Sequence, residues 1–527
     1  MKTKWMGWGL AALAGLGLAL GPSRSAQAAT ITDQDLARTV ANWSLDEQIG
    51  SLFIARKPAS ADQAASDVAK YHLGGLILFG TDMAQPTASL KAQLARFQAA
   101  AAVPLLIATD QEGGTVSRLN DSPAYPTRYP SPQQAFAQGG MTAVLNTAVS
   151  QAKQLKALGI NWNYAPIADV SSDPNSFIYA RTLGQSVANT ASYIAKVVPA
   201  IQGTGVAATL KHFPGYGSAV DTHKLFATVD RTKAQLMASE LVPFKAGIAA
   251  GVDAVMVTHI VMRQIDAALP ASLSPKVITG LLRQELGFSG VIITDDLAMG
   301  AIQQYDAAHG LKTPDVLALQ AGNDAIMADD YAVGIPAIKA AVAAGTVKPA
   351  TIRTAAVRLL KLKRKLGLLS AAKFVAPTLT LDKPQYGAKA ATVTGTVRSA
   401  DVQKARVTLT RSGKAIAHAT PNQAGRFSLS VPLTVKAQAL VVDVTLGDGT
   451  AQRLQKPLTL NARKPAATSS TASTSSAHSS ASAASSTTTK PAAKAPRWPW
   501  AIAGVIALAL VGGLVVWFRR PTGRHRR

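Results

Sequence analysis

Cysteine is absent from the 527 residues, which excludes disulfide staples, thiolate metal sites and a cysteine nucleophile. Acidic residues are scarce: 29 Asp and Glu stand against 54 Lys and Arg, a formal net charge of +25. Aromatic residues make up only 6%, and the largest segment shows no basic stripe interleaved with aromatics, the pattern that grips single-stranded nucleic acid. There is no G-x-S-x-G turn and no phosphate loop, and no G-x-G-x-x-G follows the first strand-like run, so serine-hydrolase, nucleotidase and dinucleotide-binding chemistries have nothing to stand on.

The positive charge is unevenly spread. Residues 1–28 carry three basic and no acidic residues, and residues 463–527 carry ten basic and none acidic. Between them, 29–372 is nearly balanced at +4, whereas 373–462 stands at +8. A nucleic-acid partner is therefore not expected of the large segment.

The two ends read as addresses. Lys2 and Lys4 precede an apolar run from Gly7 to Leu20, then Pro22 and Ala26-Gln27-Ala28, the layout of a secretory signal peptide over 1–28. Trp498 and Trp500 open an apolar stretch to Phe518 that is followed by five arginines. A transmembrane helix over 498–518 with a basic cytoplasmic tail at 519–527 is expected, placing the bulk of the chain outside a cell membrane that it crosses once. The intervening 463–497, mostly Ser, Thr and Ala, has little to bury and reads as a disordered linker.

Over 29–372, eight apolar, β-branched runs alternate with helical patterns: Gly50–Ile54, Gly75–Phe79, Pro104–Thr109, Ile160–Ala165, Val206–Lys211, Ala254–His259, Val291–Thr294 and Asp324–Met327. Thr142–Leu158 and Pro275–Leu286 are among the amphipathic stretches. This alternation predicts an α/β fold, a (β/α)8 TIM-like barrel, with a doubly wound sheet as the alternative. In a barrel the chemistry sits at the C-terminal ends of the strands. Those ends carry Asp110 with Gln111 and Glu112, Asp169, Lys211-His212, His259 and Asp295-Asp296. Ionisable groups so placed are costly unless they pair or react.

Asp295, emerging from Val291–Thr294, suits a nucleophile or an ion-pair partner, while Asp296 beside it reads as structural. Asp221-Thr222-His223 lies on a glycine-containing loop after Lys211-His212; the carboxylate two residues before the imidazole suits an acid/base pair. The same letters also fit a surface pair without a role, or a metal site with His212. That site lacks the usual ligand spacing, so neither metal nor cofactor is expected. Asp110 with Arg118 eight residues on suits a clamp for hydroxyl groups or a pair that fixes the loop.

Together the run Thr109–Arg118, the loop Lys211–Gly217 leading to Asp221 and His223, the His259 strand with Pro270–Ser274, and Gly290–Leu297 resemble glycoside hydrolase family 3, in its bacterial β-N-acetylglucosaminidase branch, over about residues 31–370. The resemblance implies a retaining glycosidase that removes terminal β-linked N-acetylglucosamine from cell-wall-derived (muropeptide) or chitin-like oligosaccharides. It gives Asp295 the nucleophile's position, Asp221 and His223 that of the acid/base dyad, and Asp110, Arg118, Arg181, Lys211 and His212 that of the groups holding the terminal sugar. Tyr216 stands where many members carry a second histidine, and Lys224 follows the dyad. A β-glucosidase of the family and an inactive carbohydrate-binding adhesin are the competing expectations. Residues 373–462 show short alternating strands and turn signals, which predict a β-sandwich resembling bacterial immunoglobulin-like modules; it serves as a spacer, and its +8 suits contact with anionic wall polymers.

Overall fold

A computed structural model describes residues 30–463, apart from 218, 220, 224–226, 311–313, 329, 401 and 447–452. The expected signal peptide, the linker beyond Arg463, the apolar stretch 498–518, the basic tail and Lys224 lie outside the described residues. Among the described residues no helix is long and apolar enough to cross a membrane.

Eight strands form the inner sheet: β1 (Phe53–Arg56), β2 (Gly75–Leu78), β3 (Leu106–Thr109), β4 (Trp162–Asn163), β5 (Ala207–Phe213), β6 (Ala254–Val257), β7 (Val291–Thr294) and β8 (Ile326–Ala328). They run in the order β7-β6-β5-β4-β3-β2-β1-β8, every pair parallel. A bridge between Ile293 and Ala325, with the Asp324 N–H donating to the Ile292 carbonyl at 2.7 Å, joins β7 to β8 and closes the ring. The doubly wound alternative falls with that closure, because an open sheet keeps two unpaired edges. Strands covered on both faces read as continuous apolar runs, which is why Val291-Ile-Ile-Thr294 is buried throughout.

Helices follow the strands in turn: α1 (Ala61–Tyr71), α2 (Thr87–Ala100), α3 (Pro132–Leu158), α4 (Val187–Gln202), α5 (Leu241–Ala249), α6 (Lys276–Glu285), α7 (Asp315–Ala321), α8 (Tyr331–Ala343), and last α9 (Pro349–Lys365). Helix α3 starts ten residues before the expected Thr142. Ser131 caps it, Pro132 occupies its first turn, and non-helical backbone at Gly139 and Gly140 interrupts it, so its regular period begins only after the break. Strand β5 carries the irregularity that matters for the site: its register against β6 slips between Leu210 and Phe213. An extra residue there breaks the strict alternation of side chains, so consecutive Lys211 and His212 both turn toward the barrel mouth. The Lys211–His212 peptide bond is cis.

The segment after the barrel forms two antiparallel sheets. One pairs β9 (Thr378–Leu381), β10 (Gln385–Tyr386) and β14 (Arg426–Pro432) with β11 (Ala390–Arg398); the other runs β13 (Lys414–Ala419), β12 (Arg406–Arg411), β15 (Gln438–Thr445), β16 (Arg453–Leu460). Alternate residues such as Val393, Val407, Phe427 and Val442 supply one shared core. Ser412 and Gly413, both at positive φ, make the two-residue turn between β12 and β13.

Asp35 ties this module to the barrel. It caps helix Asp33–Ala41 through Thr32, pairs with Arg38, and receives Arg398 of β11 at 3.1 and 2.5 Å. Burial alone raises its carboxyl, but the hydrogen bonds from Arg398 and Thr32 outweigh that and hold it well below the usual carboxylate range. Asp35→Asn is expected to cost about 2 kcal/mol in urea unfolding at pH 7. A depressed carboxyl stabilises the fold above its unfolded value of about 3.9, so the difference from wild type narrows as pH falls below about 4.

Candidate active site

The C-terminal ends of the barrel strands open on one cleft of about 630 Å3, its mouth included. Seven of the eight residues singled out from the sequence line it: Asp110, Arg118, Arg181, Lys211, His212, His223 and Asp295. The eighth, Asp221, stands behind His223.

Paired charges form the floor. Lys211, only 2% exposed, donates to Asp110 Oδ1 and Glu112 Oε1, both at 2.7 Å. Arg181 forks onto Glu112, Nε to Oε2 at 2.9 Å and Nη2 to Oε1 at 2.8 Å, and Arg118 Nη2 reaches Asp110 Oδ2 at 3.2 Å. Burial pushes the Asp110 carboxyl up, but Lys211 and then Arg118 pull it further down, to well below the usual range. Glu112 is lowered in the same way by Arg181 and Lys211. Lys211 is raised despite its burial, by Asp110 and Glu112. All of these groups are charged at neutral pH.

His212 is fixed by Asp169. The Asp169 carboxylate accepts from the His212 backbone N–H at 3.0 Å and ring Nδ1 at 2.7 Å, and from the Tyr216 N–H at 2.8 Å. With the Nδ1 proton given to Asp169, Nε2 accepts from Arg181 Nη2 at 3.2 Å. Both ring nitrogens are engaged, so His212 acts here by holding Arg181. Among the described residues no group of three His, Asp or Glu is arranged to hold a metal ion.

Asp295 follows β7 and is 8% exposed. Its Oδ1 accepts from the Asp296 N–H at 2.9 Å, while Oδ2 takes no hydrogen bond from a described residue. Burial raises its carboxyl; His212, His259, His223 and Lys211 lower it by more, so it is held below its ordinary value. Asp296 pairs with Arg56 at 2.5 Å and accepts from the Ala298 N–H at 3.0 Å, which occupies both its oxygens. His259, fully buried, donates from Nε2 to the Asp296 carbonyl at 2.8 Å and takes the Ser272 hydroxyl on Nδ1 at 2.7 Å. It supports the turn after β7 and has no nitrogen left for substrate.

At the rim, Asp221 Oδ1 accepts from His223 Nδ1 at 2.7 Å and from its backbone N–H at 3.0 Å. The other ring nitrogen, Nε2, is thereby the one left to exchange a proton in the cleft. Unlike the floor groups, the His223 side chain is 55% exposed. Phe177 lies edge-on to it at 6.1 Å and also packs on Tyr216.

Sequence reasoning did not assign roles to Glu112, Asp169 and Phe177. Glu112 had a signal, because residues two apart on an extended segment share a face and Asp110 was already chosen. Asp169 lies six residues beyond the end of β4, so strand ends alone did not point to its partner.

A buried carboxylate without an ion pair among the described residues shares its cleft with a carboxylate-backed imidazole over a floor of paired charges, at the mouth of a (β/α)8 barrel, an arrangement that suits glycoside hydrolysis. The glycosyl hydrolase family 3 N-terminal domain profile matches residues 44–362, and the chain belongs to that family. A beta-hexosaminidase of Stenotrophomonas maltophilia (strain R551-3) is 37% identical over 269 residues, 48% of this chain and 76% of that protein. Among solved structures, a family 3 β-N-acetylglucosaminidase from Paenibacillus sp. str. FPU-7 superposes with a TM-score of 0.58 at 33% identity, over 66% of this chain and 71% of the other. A β-N-acetylhexosaminidase from Beutenbergia cavernae DSM 12333 gives 0.53 at 30% identity, over 61% and 99%.

Glu112→Gln removes the anion shared by two buried cations. A loss of about 3 kcal/mol in thermal or urea unfolding is expected, together with a rise in KM as Lys211 and Arg181 shift; unchanged stability and KM would show that the cluster does not hold the floor.

Proposed function

We propose that the chain is a retaining, exo-acting β-N-acetylglucosaminidase that releases terminal N-acetylglucosamine from cell-wall-derived or chitin-like oligosaccharides. The observation that carries this reading is the ionised Asp295, without a direct ion pair among the described residues, in the same cleft as His223 with its Nδ1 held by Asp221. The beta-hexosaminidase and β-N-acetylglucosaminidase relatives support the choice of sugar.

In the first step Asp295 Oδ2 attacks the anomeric carbon while His223 Nε2–H protonates the departing oxygen; the glycosidic bond breaks and a glycosyl ester forms. In the second, His223 takes a proton from water, the resulting oxygen attacks the same carbon, and Asp295 leaves as carboxylate. Two displacements keep the β configuration. Asp110, Arg118, Arg181 and Lys211 hold the ring hydroxyls, and His212 acts through Arg181. Asp296 is excluded as the acid, because Arg56 and the Ala298 N–H already occupy it.

The charge pattern of the ends supports an exported head tethered by residues 498–518 on the outer side of the cell membrane. The β-module of 373–462, immunoglobulin-like in strand spacing, then serves as a spacer whose +8 suits anionic wall polymers.

Turnover of an aryl N-acetyl-β-glucosaminide tests the enzyme reading: Asp295→Ala should lose at least a thousandfold in kcat, and an inactive wild type would leave a carbohydrate-binding adhesin. An aryl glucoside turned over as well as the N-acetylglucosaminide would move the assignment to a β-glucosidase. His223→Ala should be rescued by a good leaving group far more than by a poor one; equal losses on both would remove His223 as the acid. Because Asp295 reacts as the carboxylate and its carboxyl lies below the ordinary 3.8, its protonation should lower kcat/KM only below about pH 4.

A further inference from the structure

Lys363 lies at the opposite end of the barrel from the cleft. On α9 the positions Ile352, Ala356, Leu359, Leu360 and Lys363 fall at helical spacing on one buried face, so a lysine occupies a place the pattern reserves for an apolar residue. It is 3% exposed. Among the described residues no hydrogen bond or ion pair reaches its ammonium.

What it faces is a cavity. Trp43, Val68, Leu73, Val103, Leu359 and Leu360 line it with Lys363, where the chain enters β1, β2 and β3. The space is about 490 Å3 with its mouth, and its enclosed part takes only a few non-hydrogen atoms. Ser51, also on the wall, has spent its hydroxyl proton on the Gln48 carbonyl at 2.7 Å. Glu47 and His72 are the other titratable groups of the lining. Burial pushes the Lys363 ammonium down to about 7.

A buried ammonium without a counter-charge is costly, and an anion placed beside it removes that cost. Besides Lys363 the wall carries the Glu47 carboxylate, which repels a polyanion, and the polar side chains of His72, Ser51 and Trp43; the remainder is hydrocarbon. From this geometry we propose that the cavity at the N-terminal end of the barrel is a binding site for a small monocarboxylate with an apolar body, its carboxylate on Lys363 and its alkyl part against Val68, Leu73 and Leu359. The site is separate from the glycosidase cleft and does not depend on the reading of that cleft.

Thermal unfolding of the full chain with sodium butyrate as probe, at constant ionic strength in chloride, tests the site. At pH 6 a saturable rise in Tm is expected, absent with the neutral isostere butyramide. At pH 9, where Lys363 is uncharged, the response should weaken at least tenfold. Lys363→Met should lose it while retaining hydrolytic activity, which separates Lys363 from His72 and Glu47. No response to butyrate, an equal response to butyramide or to inorganic phosphate, or an undiminished response in the variant overturns the proposal. The butyramide and pH comparisons need only the wild type and stand even if the variant fails to fold.

Discussion

The cleft depends on how Lys211 and Arg181 are neutralised. Either cation, left near Asp295 without another partner in a site of low dielectric, would be drawn to its carboxylate. Asp110 and Glu112 prevent that: Lys211 is bound between them, and Arg181 is forked onto Glu112. Asp295 then feels a cationic surrounding that keeps it ionised, while its Oδ2 has no ion pair among the described residues. Counting Arg118, the floor holds three cations against two carboxylates, and Asp295 makes the balance even. A floor balanced in this way suits an uncharged sugar.

This arrangement explains the shape of the strand that carries it. Lys211 and Asp110 lie 101 residues apart in sequence, and the parallel order β3-β4-β5 brings their strand ends to the same mouth. Regular alternation would then have placed either Lys211 or His212 outside. The register slip in β5 admits both, one to the carboxylates and the other to Asp169 and Arg181.

Much of this was legible in the sequence because burial on both faces forces β-branched apolar runs, and a run ending in a charge is conspicuous. The eight barrel strands and most of the cleft could be read that way. What escaped was set by contacts rather than pattern. Asp169 works through a loop beyond its strand; Arg181, which reaches the floor from the short helical turn Tyr179–Arg181 far from any strand end, was reached only through the family resemblance. In the β-module, β13 has both faces largely exposed and shows no alternation to read, whereas β11 and β14 alternate cleanly and were found. Lys363 shows the reverse case: its spacing fits an apolar helix face, and only the absence of a partner marks it.

The spacing of Asp295 and His223 is a property of two loops, and the backbone sets it. The loop bearing the dyad is held at its start by the Asp169 carboxylate, which takes the His212 and Tyr216 N–H groups. Tyr216 then reaches forward to the Thr222 hydroxyl, one residue before His223. From the other side, the first N–H groups of helix Gly300–His309 bind the loop's carbonyls: Gly300 donates to His223 at 3.2 Å and Ala301 to Thr222 at 3.1 Å. Those N–H groups lack partners within their own helix, and the carbonyls of the dyad's loop supply them. Because Gly300 follows Asp295 by five residues, the segment that carries Asp295 also docks the loop that carries His223. Exposed His223 is thereby kept in register with buried Asp295 through backbone hydrogen bonds.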